Sequence, residues 1–185
     1  MKIGILIGST RPGRKGTAVG RWVYDAARRR DDAEFELIEL ADFELPLLDE
    51  PVDAGAANRE YERETTRAWS RKVDELDGFV WVTPEYNHGV PAAMKNAVDL
   101  LYPEWNNKAV GFVAYGFDGG TRAVEQWRGI LAAVVMFTVR SQVAPQNFAD
   151  FDAGTFRPQD RRAAELDRVL DQVVAATRAV RQLRG

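Results

Sequence analysis

The sequence predicts an α/β protein with a doubly wound, five-stranded parallel sheet. Short apolar segments alternate with amphipathic helical segments along the chain, and glycine-rich turns follow three of the apolar segments. A strand followed by a helix pairs in parallel with the next strand, and the helices then cover both faces of the sheet. Because no repeat or linker interrupts the pattern, we expect a single domain over residues 1–185.

The predicted elements follow one another in strict alternation. The apolar segment at residues 2–7 predicts the first strand, and the spacing of Val19, Trp22, Val23, Ala26 and Ala27 predicts the helix behind it. Residues 35–40 alternate between apolar and acidic side chains, which is typical of a strand near a sheet edge. The 41–58 segment predicts a long surface loop. The other predictions are a helix at 59–77, a strand at 79–83, a helix at 91–101, a strand at 109–115, a helix through 123–134, a fifth strand at 135–139 and a last helix through 166–177.

The composition excludes several classes of function. The net charge of -3 gives no sign of binding to nucleic acid or to an anionic membrane. The chain has no cysteine, which excludes disulfides, thiolate nucleophiles and cysteine-bound metal centres. The sequence has neither a signal-peptide pattern nor an apolar stretch of membrane-spanning length. We therefore expect a cytoplasmic protein without a metal site.

The turn after the first strand is the strongest functional signal. Residues 8–17 read Gly-Ser-Thr-Arg-Pro-Gly-Arg-Lys-Gly-Thr and lead into a helix. Such a turn presents unpaired backbone N–H groups, and the helix end adds partial positive charge. A phosphate group is the expected ligand.

Two common phosphate sites do not match this turn. The dinucleotide fingerprint G-x-G-x-x-G is absent, because Gly8 is followed by Ser9-Thr10-Arg11. A Walker A loop is a closer match, but Arg14 stands where lysine is needed, and no strand ends in an aspartate placed to hold magnesium. A mononucleotide phosphate bound by hydroxyls, arginine and backbone amides remains.

Two further turns, at residues 84–89 and 116–120, also follow predicted strands. Ligands of open parallel sheets bind at the carboxyl ends of the strands. With the strand order 2-1-3-4-5, all three turns meet at the point where the order reverses.

These turns resemble those of the NADPH-dependent FMN reductase family. The matching motifs are Gly8-Ser9-Thr10-Arg11-Pro12-Gly13-Arg14, Thr83-Pro84-Glu85-Tyr86-Asn87-His88-Gly89, Ala92-Ala93-Met94-Lys95-Asn96-Ala97 and Tyr115-Gly116 with Gly119-Gly120 and Arg122-Ala123-Val124-Glu125-Gln126. They occur in the family's order, and the resemblance extends from residue 3 to about residue 135.

The resemblance implies a flavodoxin-like three-layer sandwich and an enzyme of the NAD(P)H-dependent FMN reductase or quinone reductase type. Such enzymes bind FMN non-covalently and take hydride from NADPH or NADH. They pass electrons to a small oxidant: a quinone, a free flavin, an azo compound or a metal oxyanion. The flavin carries the hydride chemistry, so no catalytic acid–base residue is expected. The family also implies a homodimer, with a tetramer as the alternative.

The resemblance also assigns the cofactor-binding residues. It places the FMN phosphate at Ser9, Arg11, Gly16 and Thr17, with Arg14 as a further candidate. It places the flavin ring beside Pro84, Glu85, Tyr86 and Asn87, and the pyrimidine end of the ring beside Gly116, Gly119 and Gly120. The N–H groups of Gly119 and Gly120 would stabilise negative charge on the reduced ring.

Several residues near these motifs carry separate expectations. Phe117 and Asp118 stand where the family often has smaller residues, and we expect Asp118 to face solvent. We expect His88, the only histidine, to serve hydrogen bonding or an interface. We expect Trp22, Trp69, Trp81 and Trp127 to pack in the core, and Tyr102 and Trp105 to be exposed at a subunit contact.

Two functions from other classes remain open at this point. A flavodoxin-like carrier would bind FMN without turning over NAD(P)H, and a regulatory or scaffold domain would bind no flavin. The sequence does not distinguish NADPH from NADH, and it does not identify the electron acceptor.

Overall fold

The computed structural model describes residues 1–184 and contains a five-stranded parallel sheet in the order β2-β1-β3-β4-β5. The strands are β1 (Lys2–Ile7), β2 (Glu34–Glu39), β3 (Gly78–Pro84), β4 (Ala109–Tyr115) and β5 (Phe137–Val143). The helices are α1 (Gly16–Ala27), α2 (Glu64–Asp74), α3 (Ala92–Asp99), α4 (Thr121–Ala133) and α5 (Arg161–Val180). The predicted fold class and strand order are confirmed.

The helices pack in two layers over separate apolar cores. Side chains of β1 alternate between the faces: Ile3, Ile5 and Ile7 pack with α1 and α5, whereas Leu6 packs with α2, α3 and α4. The central strands β3 and β4 are buried along their whole length, as expected for strands covered on both sides. Among the described residues, no helix has the length and apolar character needed to cross a membrane.

The fifth strand was predicted too early in the chain. Residues 135–139 begin in a turn, because Val135 has a left-handed backbone (φ 57°) and the amide of Met136 donates to Leu131 O at the end of α4. The strand runs instead over Phe137–Val143, and a short hairpin follows it, formed by β6 (Phe151–Asp152) and β7 (Thr155–Phe156).

The second helix is shorter than predicted, since α2 begins at Glu64 rather than at residue 59. Tyr61 lies before the helix but is buried, and its hydroxyl donates to the buried carboxylate of Glu104 at 2.9 Å. Burial and the Glu104 charge raise the pKa of Tyr61. This contact fastens the end of the long 44–63 segment to the turn after α3.

The predicted exposure of Trp105 is wrong. Its side chain is fully buried between Trp69, Phe79 and Trp81, and its indole N–H donates to Val98 O at 3.2 Å. The turn after α3 folds back onto the core, so only Tyr102 of the predicted pair is exposed. Core packing is confirmed for Trp69, Trp81 and Trp127, whereas Trp22 is half-buried.

Candidate functional site

The three predicted turns meet at the carboxyl edge of the sheet, where β1 lies between β2 and β3. Between them lies a cleft of about 280 Å³. Of the predicted site residues, Arg11, Arg14, Pro84, Glu85, Tyr86 and Gly116 line it. Ser9 and Gly16 are buried and do not line it, and Thr17 is the second residue of α1. Asn87, Gly119 and Gly120 are in the same turns but do not line the cleft.

The first turn of α1 forms a narrow cradle. A Cβ atom on Gly16 would lie 2.8 Å from the hydroxyl oxygen of Tyr115, so a side chain at residue 16 would displace that hydroxyl. The first amides of the helix have no partner within it. The Ser9 hydroxyl lies 2.8 Å from the hydroxyl of Tyr86. The cradle therefore presents backbone N–H groups and hydroxyls to one small volume.

Tyr115 at the end of β4 is a site residue that the sequence did not predict. Its hydroxyl is buried and has no hydrogen-bond partner among the described residues. Burial, together with the nearby Tyr86, raises the pKa of Tyr115, so the hydroxyl stays protonated and can donate. A buried hydroxyl without a partner costs free energy, and a ligand oxygen in the cradle would remove that cost.

The two arginines of the first turn differ in their surroundings. Arg14 is bound to Glu39 at the end of β2, with its Nε at 3.0 Å and its Nη2 at 2.6 Å from one carboxylate oxygen. The other oxygen of Glu39 accepts a hydrogen bond from the Thr17 hydroxyl at 3.2 Å. Arg11 is exposed, and its guanidinium has no partner within residues 1–184. Of the two arginines, Arg11 is thus the one that is free to meet a ligand.

Glu85 in the second turn caps a helix. Its side chain is only 6% exposed, and one carboxylate oxygen accepts from the amides of Arg122 at 2.9 Å and Ala123 at 3.1 Å. The first amides of α4 are therefore occupied by a carboxylate, which also offsets the positive end of the helix dipole. These two amides of α4 are therefore not free to contact a ligand.

The third turn needs glycine for its backbone. Gly119 and Gly120 have φ of 72° and 66°, and a Cβ on Gly119 would lie 2.6 Å from Ala144 O. Asp118 faces solvent as expected: its side chain is 46% exposed and binds Arg122 at 2.8 Å. Phe117 is 71% exposed and packs edge-on against Phe148 beside the cleft.

A fourth wall of the cleft comes from the segment after β5, which was not predicted. Asn147 lines the cleft. Its backbone N–H donates to Gly116 O at 2.9 Å, and its side-chain oxygen accepts from Lys15 Nζ at 3.0 Å. Lys15 also lines the cleft and was not predicted. Correct bounds for the fifth strand could have led to Asn147. With that strand at 137–143, the turn after it lies at the same edge of the sheet as the other three turns.

Buried Asp150 fixes this segment. Its carboxylate accepts from the backbone N–H of Gln146 at 2.8 Å and from the backbone N–H of Gln159 at 3.0 Å. It also accepts from Arg162 Nη2 at 3.0 Å and Nε at 3.1 Å. Burial alone would raise the pKa of Asp150, but the bonds from Arg162 and the two amides lower it below its usual value. Asp150 therefore stays ionised and keeps the fourth wall in place.

Comparison with known proteins identifies the family. Residues 1–150 match the NADPH-dependent FMN reductase family. The chain belongs to this family. It is 38% identical over 159 residues to an NAD(P)H-dependent FMN reductase of a Nectria species, covering 83% of this chain and 77% of the relative. It is 37% identical over 145 residues to an NAD(P)H-dependent FMN reductase of Saccharomyces cerevisiae, covering 74% and 76%.

More distant relatives are also named as reductases or oxidoreductases. A quinone reductase of Escherichia coli is 30% identical over 171 residues, covering 84% of this FMN reductase family member and 87% of the relative. A flavoenzyme NAD(P)H:acceptor oxidoreductase from Paracoccus denitrificans has the same fold, with a TM-score of 0.74 at 21% identity, covering 96% and 97% of the two chains.

The family's cofactor, FMN, fits the residues present. Its phosphate requires donors without carboxylates, and the cradle offers the unpaired Tyr115 hydroxyl, the first amides of α1 and the free Arg11. The carboxylate of Glu39, which lies beside the turn, is occupied by Arg14 and Thr17.

Proposed function

We propose that this FMN reductase family member transfers reducing equivalents from NAD(P)H to a small oxidant through FMN bound in the cleft. When bound, FMN accepts hydride from the nicotinamide and passes the electrons on. The observation that carries the proposal is the unpaired hydroxyl of Tyr115 against the Gly16 cradle at the start of α1.

The residues of the chain bind and orient the cofactor. Arg11, the Tyr115 hydroxyl and the amides of Gly16 and Thr17 hold the phosphate, with Ser9 as a further hydroxyl. Arg14 contributes after exchanging its contact with Glu39. Because Gly16 has no side chain, the phosphate and backbone approach closely, which fixes the tail of the cofactor.

The other turns border the ring. Pro84, Glu85, Tyr86 and Asn87 lie along one side, and the backbone of Gly116, Gly119 and Gly120 lies at the pyrimidine end. Glu85 acts through its cap on α4, which sets the position of the third turn against the second. No side chain needs to transfer a proton, because the reaction is carried by the flavin.

A visible spectrum tests the proposal. Protein loaded with FMN shows the yellow absorption of oxidised flavin, and NADPH added without oxygen bleaches it rapidly. A quinone added afterwards restores the colour. Bound flavin that NADPH leaves oxidised would point to an electron carrier, and failure to bind FMN would point to a flavin-free scaffold.

A variant of Arg11 tests the binding mode. Arg11→Ala should weaken FMN binding about tenfold or more, since a charge-assisted hydrogen bond contributes roughly 1.5–3 kcal/mol. Riboflavin lacks the phosphate, so its affinity should stay within twofold of wild type. Equal losses for both ligands, measured by fluorescence quenching, would contradict the assignment of Arg11 to the phosphate.

We also propose that the chain is cytoplasmic, as its sequence suggests, and that it forms a homodimer. The support for the dimer is apolar surface: Leu47, Leu48 and Val52 of the long loop are about half exposed or more, and Tyr102 lies against Gly55 of the same loop. Such a patch is typical of an interface. Sedimentation equilibrium should give twice the chain mass, and Leu47→Glu with Leu48→Glu should shift it to the monomer; a tetramer is the alternative.

A further inference from the structure

Two exposed aromatic rings stand beside the cleft and have no part in the proposed function. Phe117 follows β4 and is 71% exposed, and Phe148 in the segment after β5 is 65% exposed. The rings pack edge-on, with their centroids 5.4 Å apart. Within residues 1–184, no other pair of packed aromatic rings has both members exposed. We call Phe117 and Phe148 the aromatic lip.

The aromatic lip is continuous with the wall of the cleft. Gly116 lines the cleft and directly precedes Phe117. Asn147 also lines the cleft and directly precedes Phe148. The backbone N–H of Asn147 donates to Gly116 O at 2.9 Å, and that of Gly116 donates to Pro145 O at 3.3 Å. These hydrogen bonds join the two segments, so they hold both rings at the rim of the cleft.

Exposed aromatic faces in this position favour a flat, apolar ligand. Large apolar side chains that are exposed together commonly mark a binding site. Aromatic rings attract other flat rings in offset-stacked or edge-on contacts, and covering them removes apolar surface from water. A flat ring that lies on the aromatic lip covers both side chains at once.

The charges around the aromatic lip favour an uncharged ligand. Arg122 binds Asp118 at 2.8 Å and reaches Glu85 at 3.4 Å. An anion at the lip therefore meets two carboxylates that share one guanidinium. The cations that line the cleft belong to the first turn, where the proposed function places the FMN phosphate; they are Arg11, Arg14 and Lys15.

The oxidant needs a site outside the cleft. A cleft of about 280 Å³ is at the lower end of the volumes that hold a single ligand, so FMN fills it. A molecule that takes electrons from the bound cofactor then approaches at the rim, and the aromatic lip lies at this rim.

We propose that the aromatic lip selects an uncharged, flat aromatic oxidant, such as a naphthoquinone, over anionic oxidants such as free FMN or a metal oxyanion. Phe117 and Phe148 determine this specificity by holding the ring of the oxidant at the rim. NAD(P)H supplies a hydride and the medium supplies one proton, so the quinone leaves as its hydroquinone and NAD(P)+ is formed. This inference rests on the proposed function, because it names the oxidant of that reaction.

Reoxidation kinetics test the aromatic lip without NAD(P)H. FMN-loaded protein is reduced by light and EDTA in the absence of oxygen, and is then mixed with menadione, an uncharged naphthoquinone, or with ferricyanide, an anion. The double variant Phe117→Ala, Phe148→Ala should slow reoxidation by menadione about tenfold, since two aromatic contacts are lost. Reoxidation by ferricyanide should stay within about twofold of wild type, because this anion has no flat ring to lie on the lip.

The matched control is the double variant Phe137→Ala, Leu183→Ala. Both side chains are apolar and exposed, at 42% and 61%. Phe137 begins β5 at the amino edge of the sheet, and Leu183 follows α5, so both lie outside the cleft. This variant should keep the wild-type rate with either oxidant. Phe117→Trp retains an aromatic face and should keep about half or more of the menadione rate.

Binding and sedimentation separate the outcomes. Menadione should bind to oxidised, FMN-loaded wild type in a calorimetric titration, and about tenfold more weakly to the lip double variant. Equal slowing with both oxidants, or an unchanged menadione affinity, would overturn the proposal. So would a lip variant that sediments as a monomer where wild type is a dimer, since the rings would then form a subunit contact. Protein that NAD(P)H does not reduce, but that shows the selectivity after reduction by light, would overturn only the proposed function.

Discussion

At the scale of single residues, we expect removal of the Tyr115 hydroxyl to have opposite effects on folding and on binding. Because this buried hydroxyl has no partner, Tyr115→Phe should leave the free energy of unfolding of the FMN-free protein unchanged or raise it by up to about 1 kcal/mol. FMN affinity should fall about tenfold, since a hydrogen bond to a charged phosphate is lost. Urea denaturation and fluorescence quenching measure the two effects.

Tyr86→Phe is the matched control. The Tyr86 hydroxyl is paired with the buried Ser9, so its removal should cost about 1 kcal/mol of unfolding free energy. If Tyr115→Phe destabilises the FMN-free protein as much as Tyr86→Phe does, the unpaired hydroxyl is not reserved for a ligand.

The sequence predicted residues of the site only where a turn marked them. Arg11, Pro84, Glu85 and Gly116 lie at or shortly after the ends of strands and line the cleft. Tyr115 was missed because it reads as the last residue of a buried strand, and whether its hydroxyl is paired depends on contacts distant in the chain. The contact of Arg14 with Glu39 joins two strand ends and was equally hidden.

At the scale of elements, the pair of Asp150 and Arg162 joins α5 to the fourth wall of the cleft. Both side chains are buried, so Arg162→Met leaves an uncompensated carboxylate and should cost about 3–5 kcal/mol of unfolding free energy. The double variant Asp150→Asn, Arg162→Met removes both charges and should recover at least half of this loss. Urea denaturation measures each variant; a single variant that costs less than about 1 kcal/mol would mean that the segment is fixed by other contacts.

A second element-scale prediction concerns the start of α4. Glu85→Ala removes the carboxylate that accepts from two helix amides and should cost about 1–2 kcal/mol of unfolding free energy. Glu85→Gln keeps an accepting oxygen and should lose less than half as much. Equal losses in thermal denaturation would show that packing, rather than capping, accounts for the effect.

Elements with strong periodicity were predicted well, and elements that depend on distant contacts were not. Strand β4 has the predicted bounds because it is apolar throughout and buried on both faces. The edge strand β5 carries Arg140, Ser141 and Gln142, so its pattern is weak, and the apolar residues before it resembled a strand. Trp105 was expected to be exposed because its burial depends on a turn folding back onto three distant aromatic rings.

At the scale of the whole molecule, the order of elements was enough to predict the sheet. Parallel strands joined by right-handed crossovers leave few arrangements, and the position of the first turn selects the one with β1 between β2 and β3. The same rule brought three separate turns to one edge. The rule does not predict the depth and charge of the clefts beside that edge. These depend on the long 44–63 segment and on the β6–β7 hairpin.

The buried Lys108, the residue before β4, makes the stability of the whole molecule change with pH in the alkaline range. Its ammonium donates to Val73 O at 2.6 Å, and burial lowers its pKa from 10.5 to about 8. Between these two values the unfolded chain binds a proton that the folded chain has lost, so the free energy of unfolding rises with pH, by about 3 kcal/mol over the window. Lys108→Met should lack this rise. Urea denaturation of both proteins at intervals from about pH 7.5 to about pH 10.5 measures the difference in their free energies of unfolding. This range spans the two pKa values. Parallel curves for wild type and variant would mean that Lys108 keeps its proton in the folded protein.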